Sequence, residues 1–232
     1  MQIPGKRTIV TGGFGALGME VGRVLASAGA RVALLDRADP PADIKEKTGA
    51  ALALGGVDLT DARAAQAAID KGAAALGGLD ALVNIAGAFR WETLADGDIA
   101  TWDFLYATNV KTAAAASKAA LPHLLKSKAG RIVNIGAGAA AKAGAGMGAY
   151  AASKAGVAKL TEALAEEVKA NGITVNAILP SIIDTAANRR DMPKADFAKW
   201  VTPGEIADAI QFLLSDKARG ITGALIPVSG RV

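Results

Sequence analysis

Short, almost continuously apolar runs alternate with longer alanine-rich stretches along this chain. Runs that are apolar at successive positions are typical of strands that are covered on both faces. The runs predicted to be strands are residues 7–11, 31–36, 51–58, 80–87, 130–136, 173–180 and 223–228. The stretches predicted to be helices are residues 16–29, 61–76, 98–127, 149–171 and 203–215. This alternation predicts an α/β fold with a doubly wound parallel sheet of about seven strands.

No proline- or serine-rich linker interrupts the alternation, so residues 1–232 are predicted to form a single domain. Hydrophobic residues make up 51% and charged residues 21% of the chain, with a mean hydropathy of +0.28, which is typical of a globular protein. The first predicted strand begins near Arg7 and leaves no room for a signal peptide, and no apolar run is long enough to span a membrane. We therefore expect a cytoplasmic protein with no membrane partner.

The counts of cysteine, histidine and charged residues exclude several kinds of chemistry. The chain has no cysteine, which excludes disulfides, thiolate catalysis and cysteine metal sites. His123 is the single histidine, and its place in LPHLL near a predicted helix end indicates a structural role. The net charge is +4, but the cations are scattered and aromatic residues make up only 4%. We therefore expect neither a metal nor a nucleic-acid partner.

A glycine-rich loop, TGGFGALG at 11–18, follows the first predicted strand and opens the first predicted helix. Gly13, Gly15 and Gly18 have the spacing of a phosphate-binding loop. Glycine there permits a tight turn and lets the backbone approach a pyrophosphate closely. Such a spacing is weak alone in a chain with 27 glycines, but its place between a strand and a helix indicates a dinucleotide cofactor.

Polar residues follow the next predicted strands, at the edge where a doubly wound sheet binds ligands. A carboxylate at Asp36 would accept hydrogen bonds from the adenosine ribose and repel a 2′-phosphate, which favours NAD. Arg37 beside it could accept that phosphate and leaves NADP open, and Asp36 could also be a simple turn residue. Asp58 could serve the adenine ring or begin a helix. For Asn84, a role in the cofactor site and a purely structural role are equally open.

Tyr150 and Lys154 lie four positions apart in a predicted helix, so both side chains project from one face. A phenol with a pKa of about 10 is a poor acid or base at neutral pH. Because a neighbouring ammonium favours the phenolate, we expect Lys154 to lower the pKa of Tyr150. The alternative is a surface pair without chemistry, but a cofactor loop in the same chain favours the catalytic interpretation.

In this order and spacing, the motifs resemble the short-chain dehydrogenase/reductase family over essentially the whole chain. The matches are TGGFGALG, Asp36, Asp58, NIAG at 84–87, Asn109 in ATNV, Tyr150 with Lys154, and Pro180 with Thr185 in PSIIDT. The resemblance implies a Rossmann-type fold, a nicotinamide cofactor with NADH preferred and NADP open, and hydride transfer with Tyr150 as proton donor or acceptor. It also implies that Lys154 binds the nicotinamide ribose, Asn109 holds a proton-relay water and Thr185 contacts the carboxamide.

The site residues that the resemblance implies form three groups. The catalytic residues are Tyr150, Lys154 and Asn109. The cofactor-binding residues are Gly12, Gly13, Phe14, Gly15, Ala16, Leu17, Gly18, Asp36, Arg37, Asp58, Leu59, Asn84, Ala86, Gly87, Lys154, Pro180, Ile183 and Thr185. The substrate-binding residues are Ala137, Phe89, Trp91, Met147 and Tyr150.

Two positions depart from the family pattern. Ala16 stands where the glycine loop of the family usually has glycine. Ala137 stands thirteen residues before the tyrosine, where the family has a serine that hydrogen-bonds the substrate carbonyl. The alanine could be engineered, could mark a relative without catalysis, or could reflect a substrate that needs no such hydroxyl. An ordinary carbonyl or 3-oxoacyl reductase without its serine and a non-catalytic NADH-binding sensor module are therefore the alternatives.

A narrower resemblance favours a substrate that needs no hydroxyl. GAGMGAYAASK and residues 179–200 resemble the quinonoid dihydropteridine reductase branch of the family, which also has alanine at the serine position. This implies reduction of a small planar imine-like or quinonoid acceptor such as a dihydropterin, which relies less on an oxyanion donor. Residues 181–202, here named the lid segment, are expected to cover the substrate and are too short to enclose a long acyl chain. The family resemblance also implies a homotetramer or homodimer.

Overall fold

The computed structural model describes all residues, Met1–Val232, and contains one sheet of seven parallel strands. The strands are β1 (Arg7–Thr11), β2 (Arg31–Leu35), β3 (Leu52–Leu54), β4 (Ala81–Asn84), β5 (Arg131–Ile135), β6 (Thr174–Pro180) and β7 (Leu225–Val228). The helices are α1 (Ala16–Ser27), α2 (Ile44–Thr48), α3 (Ala62–Leu76), α4 (Ile99–Leu105), α5 (Thr112–Leu124), α6 (Gly148–Val168), α7 (Ala186–Asp191) and α8 (Pro203–Leu214). The strand order is β3-β2-β1-β4-β5-β6-β7, which confirms the predicted α/β fold.

Successive residues of the central strands enter two separate hydrophobic cores. In β1, Ile9 packs into the core beneath α3, α5 and α6, whereas Val10 packs into the core beneath α1 and α8. The same alternation holds in β4 and β5. Both faces of the sheet are therefore covered by helices, which is the reason that the strands have continuously apolar sequences.

Four elements differ from the sequence prediction. The third strand ends at Leu54, well before residue 58, and Gly56 follows with a φ of +70° that a strand does not accommodate. The helix predicted over 98–127 is divided into α4 and α5 by a π-helical turn at Tyr106–Lys111. Helices α2 and α7 were not predicted, because five or six residues are too few for a helical period to stand out.

The order of strands reverses between β1 and β4, and this reversal determines where a ligand can bind. In open α/β sheets, ligands bind beyond the carboxyl ends of the strands at such a point. At the opposite ends, Arg7 donates hydrogen bonds of 2.8 and 2.7 Å to the carboxylate of Asp80. Burial alone would raise the pKa of Asp80, but the bonds from Arg7 hold it well below its ordinary value. The ion pair fixes the two strands whose following loops form the candidate site.

Candidate cofactor and active site

A cavity of about 660 Å³ opens beyond the carboxyl ends of β1, β2 and β4. Its volume lies in the range of pockets that hold cofactors. The expected cofactor residues that line it are Gly12, Gly15, Ala16, Leu17, Gly18, Asp36, Arg37, Asp58, Leu59, Ala86, Gly87 and Thr185. The expected cofactor residues that do not line it are Gly13, Phe14, Asn84, Lys154, Pro180 and Ile183. The structure therefore brings most, but not all, of the sequence-predicted set to one cavity.

The glycine loop depends on three glycines for close backbone packing. Gly12 has a φ of +65°, and a Cβ atom there would lie 2.7 Å from the backbone nitrogen of Ala86. A Cβ atom on Gly13 would lie 2.7 Å from Cβ of Leu34, and one on Gly18 would collide with the Gly12 carbonyl oxygen. At Gly15, by contrast, the nearest atom would be 3.6 Å away. Gly12, Gly13 and Gly18 are thus required by the fold, whereas Gly15 is not.

Helix α1 begins beside the cavity and presents backbone N–H groups to it. Gly15 is its N-cap, and no side chain caps the helix or places a negative charge in its first turn. Ala16, Leu17 and Gly18 of that first turn all line the cavity. Unpaired N–H groups and the positive end of the helix dipole attract a phosphate. This cradle therefore suits the pyrophosphate of a dinucleotide.

Asp36 lies between the glycine loop and the end of β2. One of its carboxylate oxygens accepts a hydrogen bond of 2.9 Å from the Phe14 N–H, and the other accepts one of 3.1 Å from the Ala38 N–H. The carboxylate thus holds the loop in place and still lines the cavity. Arg37 also lines the cavity and is exposed. Phe14 contributes its backbone N–H to this arrangement and does not reach the cavity wall.

Asp58 lies at the cavity and also bonds its own turn. It accepts hydrogen bonds of 2.9 and 2.7 Å from the N–H and hydroxyl groups of Thr60, which hold its pKa below the ordinary value. The carboxylate is exposed and ionised at neutral pH. Asp58 therefore shapes its turn and lines the cavity, whereas the N-cap of α3 is Asp61. A contact of Asp58 with an adenine ring stays a prediction.

Asn84 does not line the cavity, although it was expected among the cofactor-binding residues. Its side chain is buried, and its amide donates hydrogen bonds to Asn134 at 2.8 Å and Ser117 at 3.1 Å. Asn134 in turn donates to Thr161 at 2.9 Å, which joins β4, β5, α5 and α6 in one buried polar network. Because a strand alternates its side chains, the last residue of β4 points into the helix layer rather than the cavity.

The loop after β4 is held from both sides by side chains. The hydroxyl oxygen of Thr11 accepts hydrogen bonds from the N–H groups of Ile85 and Ala86, at 3.2 and 3.3 Å. On the other side, Asn109 accepts from the Ala88 N–H at 2.8 Å and donates to the Ala88 carbonyl at 3.0 Å. Thr11 was not among the predicted site residues, although it begins the glycine motif.

Asn109 makes three hydrogen bonds to protein partners through its side-chain amide. Besides its bonds to Ala88, it donates a hydrogen bond of 2.9 Å to the hydroxyl of Ser153, which donates one of 2.7 Å to the Tyr150 carbonyl. Both amide hydrogens are therefore used, which leaves one lone pair of the amide oxygen for the relay water implied by the family resemblance, and that water stays a prediction. The three bonds connect the π-helical turn, the loop after β4 and the start of α6.

Tyr150 and Lys154 share one face of α6, as predicted. The Lys154 ammonium donates a hydrogen bond of 2.9 Å to the Ile135 carbonyl and lies 6.0 Å from the centre of the Tyr150 ring. Gly87 separates this pair from the cavity, because a Cβ atom there would lie 3.5 Å from the ammonium and 2.5 Å from Asn109. The absence of a side chain at Gly87 therefore lets a ligand in the cavity approach Lys154, although Lys154 does not itself line the cavity.

The net pKa of Tyr150 in the protein alone is raised, whereas the sequence led us to expect a lowering by Lys154. Burial raises the pKa of Tyr150 to about 12 and lowers the pKa of Lys154 to about 8. Loss of water outweighs the attraction between the two groups, because both are enclosed and the ammonium is bonded to a carbonyl. At neutral pH the tyrosine therefore holds its proton and the lysine keeps its charge.

The expected substrate residues lie outside the cavity, and we name the two exposed ones, Phe89 and Trp91, the aromatic rim. The ring of Phe89 lies edge-on to that of Tyr150, with 4.9 Å between ring centres. Trp91 donates a hydrogen bond of 3.0 Å from its indole to the Ala145 carbonyl and covers Gly146. Both aromatic side chains are more than half exposed, and the partly buried Met147 caps the start of α6.

Ala137 lies just beyond the end of β5 and is buried. Its backbone is extended, and its carbonyl accepts a hydrogen bond from the Ala140 N–H. The segment from Gly136 to Ala149 contains no side-chain hydroxyl. Neither Ala137 nor its neighbours therefore offer a side-chain donor on the β5 side of Tyr150.

The lid segment begins and ends at one short parallel bridge. Ile183 pairs with Val201, and Asp184 donates its N–H to the Val201 carbonyl at 2.8 Å. Thr185 caps α7 through a hydrogen bond from the Asn188 N–H and also lines the cavity. Pro180 and Ile183 support this root and do not reach the cavity. Trp200 is buried against the core, so it holds the segment rather than contacting a ligand.

Several cavity residues were missed by sequence reasoning. They are Val57, Thr60, Ile85, Ala88, Phe104, Thr108, Thr112, Ala186, Ala187 and Arg190. Phe104, Thr108 and Thr112 are spaced by four, which is a helical signal that the sequence contains, but the predicted helix gave no indication of which face meets the cavity. Arg190 belongs to no motif that marks it as a ligand contact, and its helix was too short to be predicted.

The structure contains neither a metal-binding cluster of side chains nor a helix that could span a membrane. No cluster of three or more His, Cys, Asp or Glu side chains could hold a metal ion. None of the helices has both the length and the apolarity that a bilayer crossing requires. His123 pairs with Asp70 at 2.7 Å between α3 and α5, which agrees with the structural role expected for it.

Residues 6–196 match the family model described as short chain dehydrogenase. The 2-(S)-hydroxypropyl-CoM dehydrogenase 3 of Xanthobacter autotrophicus is 35% identical over 95% of this chain and 94% of its own. The inactive 2-(S)-hydroxypropyl-CoM dehydrogenase 2 of the same organism is 36% identical over 90% and 97%. The 3-oxoacyl-(acyl-carrier-protein) reductase of Vibrio cholerae is 33% identical over 99% and 98%.

Solved structures of similar chains have the same fold and contain nicotinamide cofactors. Carveol dehydrogenase from Mycobacterium avium in complex with NAD has a TM-score of 0.89 and 26% identity, and the match covers 99% of this chain and 98% of that chain. A short chain dehydrogenase from Burkholderia cenocepacia in complex with NADP has a TM-score of 0.86, 31% identity and the same coverage.

The glycine loop generates a prediction about backbone geometry. Gly12→Ala should lower the free energy of unfolding by about 1–3 kcal/mol and abolish dinucleotide binding, since the left-handed backbone and the contact with Ala86 both exclude a Cβ atom. Gly15→Ala is the matched control and should stay within about 1 kcal/mol of the parent. Thermal unfolding and fluorescence titration measure the two quantities, and equal stability of the two variants would contradict the prediction.

The buried ammonium generates a prediction about stability and pH. The pKa of Lys154 is lowered from 10.5 to about 8, so the unfolded chain binds more protons than the folded protein between these values. Lys154→Met should therefore raise the free energy of unfolding at pH 7 by about 1–3 kcal/mol, and the gain should shrink as the pH rises from 8 to 10.5.

The control for this variant is Lys159→Met, an exposed lysine of the same helix that should change stability by less than about 0.5 kcal/mol. Urea unfolding at several pH values makes the measurement. A gain for Lys154→Met that is absent, or constant across the range, would show that the ammonium carries no burial penalty.

Proposed function

Because the chain belongs to the short-chain dehydrogenase family and is an NAD(P)-dependent oxidoreductase, we propose that it reduces a small planar acceptor with NADH, with Tyr150 as the proton donor. The acceptor is an imine-like or quinonoid ring of the dihydropterin kind. The observation that carries this proposal is Ala137, a buried methyl group just beyond β5, at the position where the serine hydroxyl of the family meets a substrate carbonyl.

The proposed cofactor is held along the cavity. The first turn of α1 receives the pyrophosphate, Asp36 receives the adenosine ribose, and Asp58 lies at the adenine end. The bound nicotinamide supplies the hydride. Gly87 permits the nicotinamide ribose to approach Lys154, whose ammonium is anchored on the Ile135 carbonyl and keeps its charge below about pH 8.

The reduction adds one hydride and one proton to the acceptor. An imine takes the hydride at carbon and the proton at nitrogen, whereas a quinonoid dihydropterin takes both at nitrogen. Tyr150 makes no hydrogen bond through its hydroxyl and holds its proton because burial raises its pKa to about 12. It therefore serves as the acid in the reductive direction at neutral pH. Lys154 then stabilises the phenolate left behind, because an ammonium and a phenolate attract each other strongly in a site without water.

The shape of the rim supports a planar substrate. Phe89, against Tyr150, and Trp91, over Gly146, expose aromatic surface, and such surfaces stack on flat rings. The lid segment is rooted at Ile183 and Val201 and has few residues with which to enclose a long chain. Reduction of a quinonoid ring restores aromaticity, so the missing donor at position 137 matters less than it does for a ketone.

A second candidate is an ordinary carbonyl or 3-oxoacyl reductase, and similarity to the reductase of Vibrio cholerae favours it. In that case Ala137 marks a lost hydroxyl and ketone reduction is weak. A third candidate is an NADH-binding module without catalysis, which the similarity to an inactive relative favours and the retained Tyr150 and Lys154 disfavour. The homotetramer or homodimer and the cytoplasmic location stay predictions.

A substrate panel with Ala137→Ser distinguishes the three candidates. The parent protein should oxidise NADH faster with a quinonoid dihydropterin than with simple ketones or 3-oxoacyl thioesters. Ala137→Ser should raise ketone reduction by about 10²–10³-fold, the value of one oxyanion donor, and leave dihydropterin reduction nearly unchanged. Ala141→Ser, at an exposed position, is the control.

The other outcomes of the panel favour the other candidates. Faster reduction of ketones or thioesters by the parent would favour the carbonyl reductase. NADH binding with no turnover of any acceptor, in the parent and in Ala137→Ser, would favour the sensor module.

The proposed preference for NADH generates a second test. Asp36→Asn keeps an oxygen for the Phe14 N–H but removes the charge that repels a 2′-phosphate, while Arg37 remains beside it. The ratio of kcat/KM for NADH to that for NADPH should fall about tenfold or more. Asp39→Asn, an exposed neighbour outside the cavity, is the control, and an unchanged ratio for Asp36→Asn would contradict the preference.

A further inference from the structure

Two guanidinium groups line the cavity, and only one of them belongs to the dinucleotide site described above. Arg37 follows Asp36 at the ribose end. Arg190 lies on α7 of the lid segment, is exposed, and makes no hydrogen bond or ion pair with the protein. No other lysine or arginine lines the cavity. A free cation on the wall of a cavity that suits a dianion needs a partner of opposite charge.

The neighbouring arginine shows why Arg190 is free to face the cavity. Arg189 donates two hydrogen bonds, of 2.6 and 2.7 Å, to the carboxylate of Asp184, and its guanidinium lies 4.8 Å from the Phe197 ring centre. These contacts anchor α7 to the root and the far end of the lid segment. The two arginines therefore have separate roles, one holding the helix and one left for a ligand.

The spacing of α7 directs Arg190 to the cavity. Ala186, Ala187 and Arg190 all line it, and positions i, i+1 and i+4 of a helix lie on one face. The two alanines are too short to come between the guanidinium and a ligand. Tyr150 and the aromatic rim lie outside this cavity, so Arg190 shares its space with the glycine loop and not with the proposed substrate residues.

We propose that Arg190 binds the pyrophosphate of the dinucleotide from the lid side, opposite the first turn of α1. This inference rests on the proposed dinucleotide site. A guanidinium offers two parallel N–H donors that match phosphate oxygens, whereas the N–H groups of α1 cover only one side of the group. Because α7 is anchored through Asp184, a bound pyrophosphate also holds the lid segment in place over the cavity.

The test uses ligands that have the pyrophosphate but cannot react. Arg190→Gln should bind ADP-ribose and NADH about tenfold or more weakly than the parent, with an unchanged affinity for adenosine. Arg190→Lys should recover part of the affinity, because the charge returns without the fork of donors. Arg63→Gln, which removes an exposed charge on α3 outside the cavity, should bind all three ligands like the parent. Isothermal titration calorimetry makes these measurements.

Each other outcome overturns the inference. An unchanged affinity for ADP-ribose, equal weakening for adenosine, or no binding of ADP-ribose by the parent would do so. A rise in substrate KM with unchanged ADP-ribose affinity would assign Arg190 to the substrate instead. Because ADP-ribose binding requires no turnover, loss of affinity in Arg190→Gln supports the inference even if no acceptor is reduced and the proposed reaction fails.

Discussion

The structure of the site depends on the close approach of two loops, the one after β1 and the one after β4. Gly12 lies so near Ala86 that no side chain can separate them, and Thr11 accepts the N–H groups of that same loop. Asn109 holds the loop from the opposite side through both backbone groups of Ala88. With the loop clamped in this way, Gly87 becomes a thin wall between the cavity and Lys154.

The fold could be predicted from the sequence because both faces of the sheet are buried. Continuous apolar runs such as residues 32–35 leave little choice except a covered strand, and the alternation with helices determines the parallel order. The residues at which helices and strands begin and end were less predictable. Gly56 ends β3 early through its backbone conformation, and the π-helical turn at Tyr106–Lys111 has no period that differs visibly from that of an α-helix.

The position of a site residue could be predicted where its motif determines the backbone around it. The glycine loop and Asp36 lie where their positions after strands imply, because the carboxyl end of a strand is a fixed location. Asn84 does not, since a shift of one position along a strand reverses the direction of the side chain. The direction of the Tyr150 pKa was also out of reach, because it depends on how completely α6 and its neighbours exclude water. To predict Arg190 and Phe104 as cavity residues, one would need to know which faces of their helices meet the cavity.

The π-helical turn has a consequence for how this chain can change in length. A π turn is an α-helix that contains one additional residue, and each residue of a helix rotates the chain by about 100°. The wide turn rotates less per residue and absorbs the additional one, so α4 and α5 keep the faces that a regular helix one residue shorter would present. Phe104 before the turn and Thr112 after it therefore both reach the cavity wall. Loss of one residue within Tyr106–Lys111 would leave those two faces in place and would alter only the turn that carries Thr108 and Asn109.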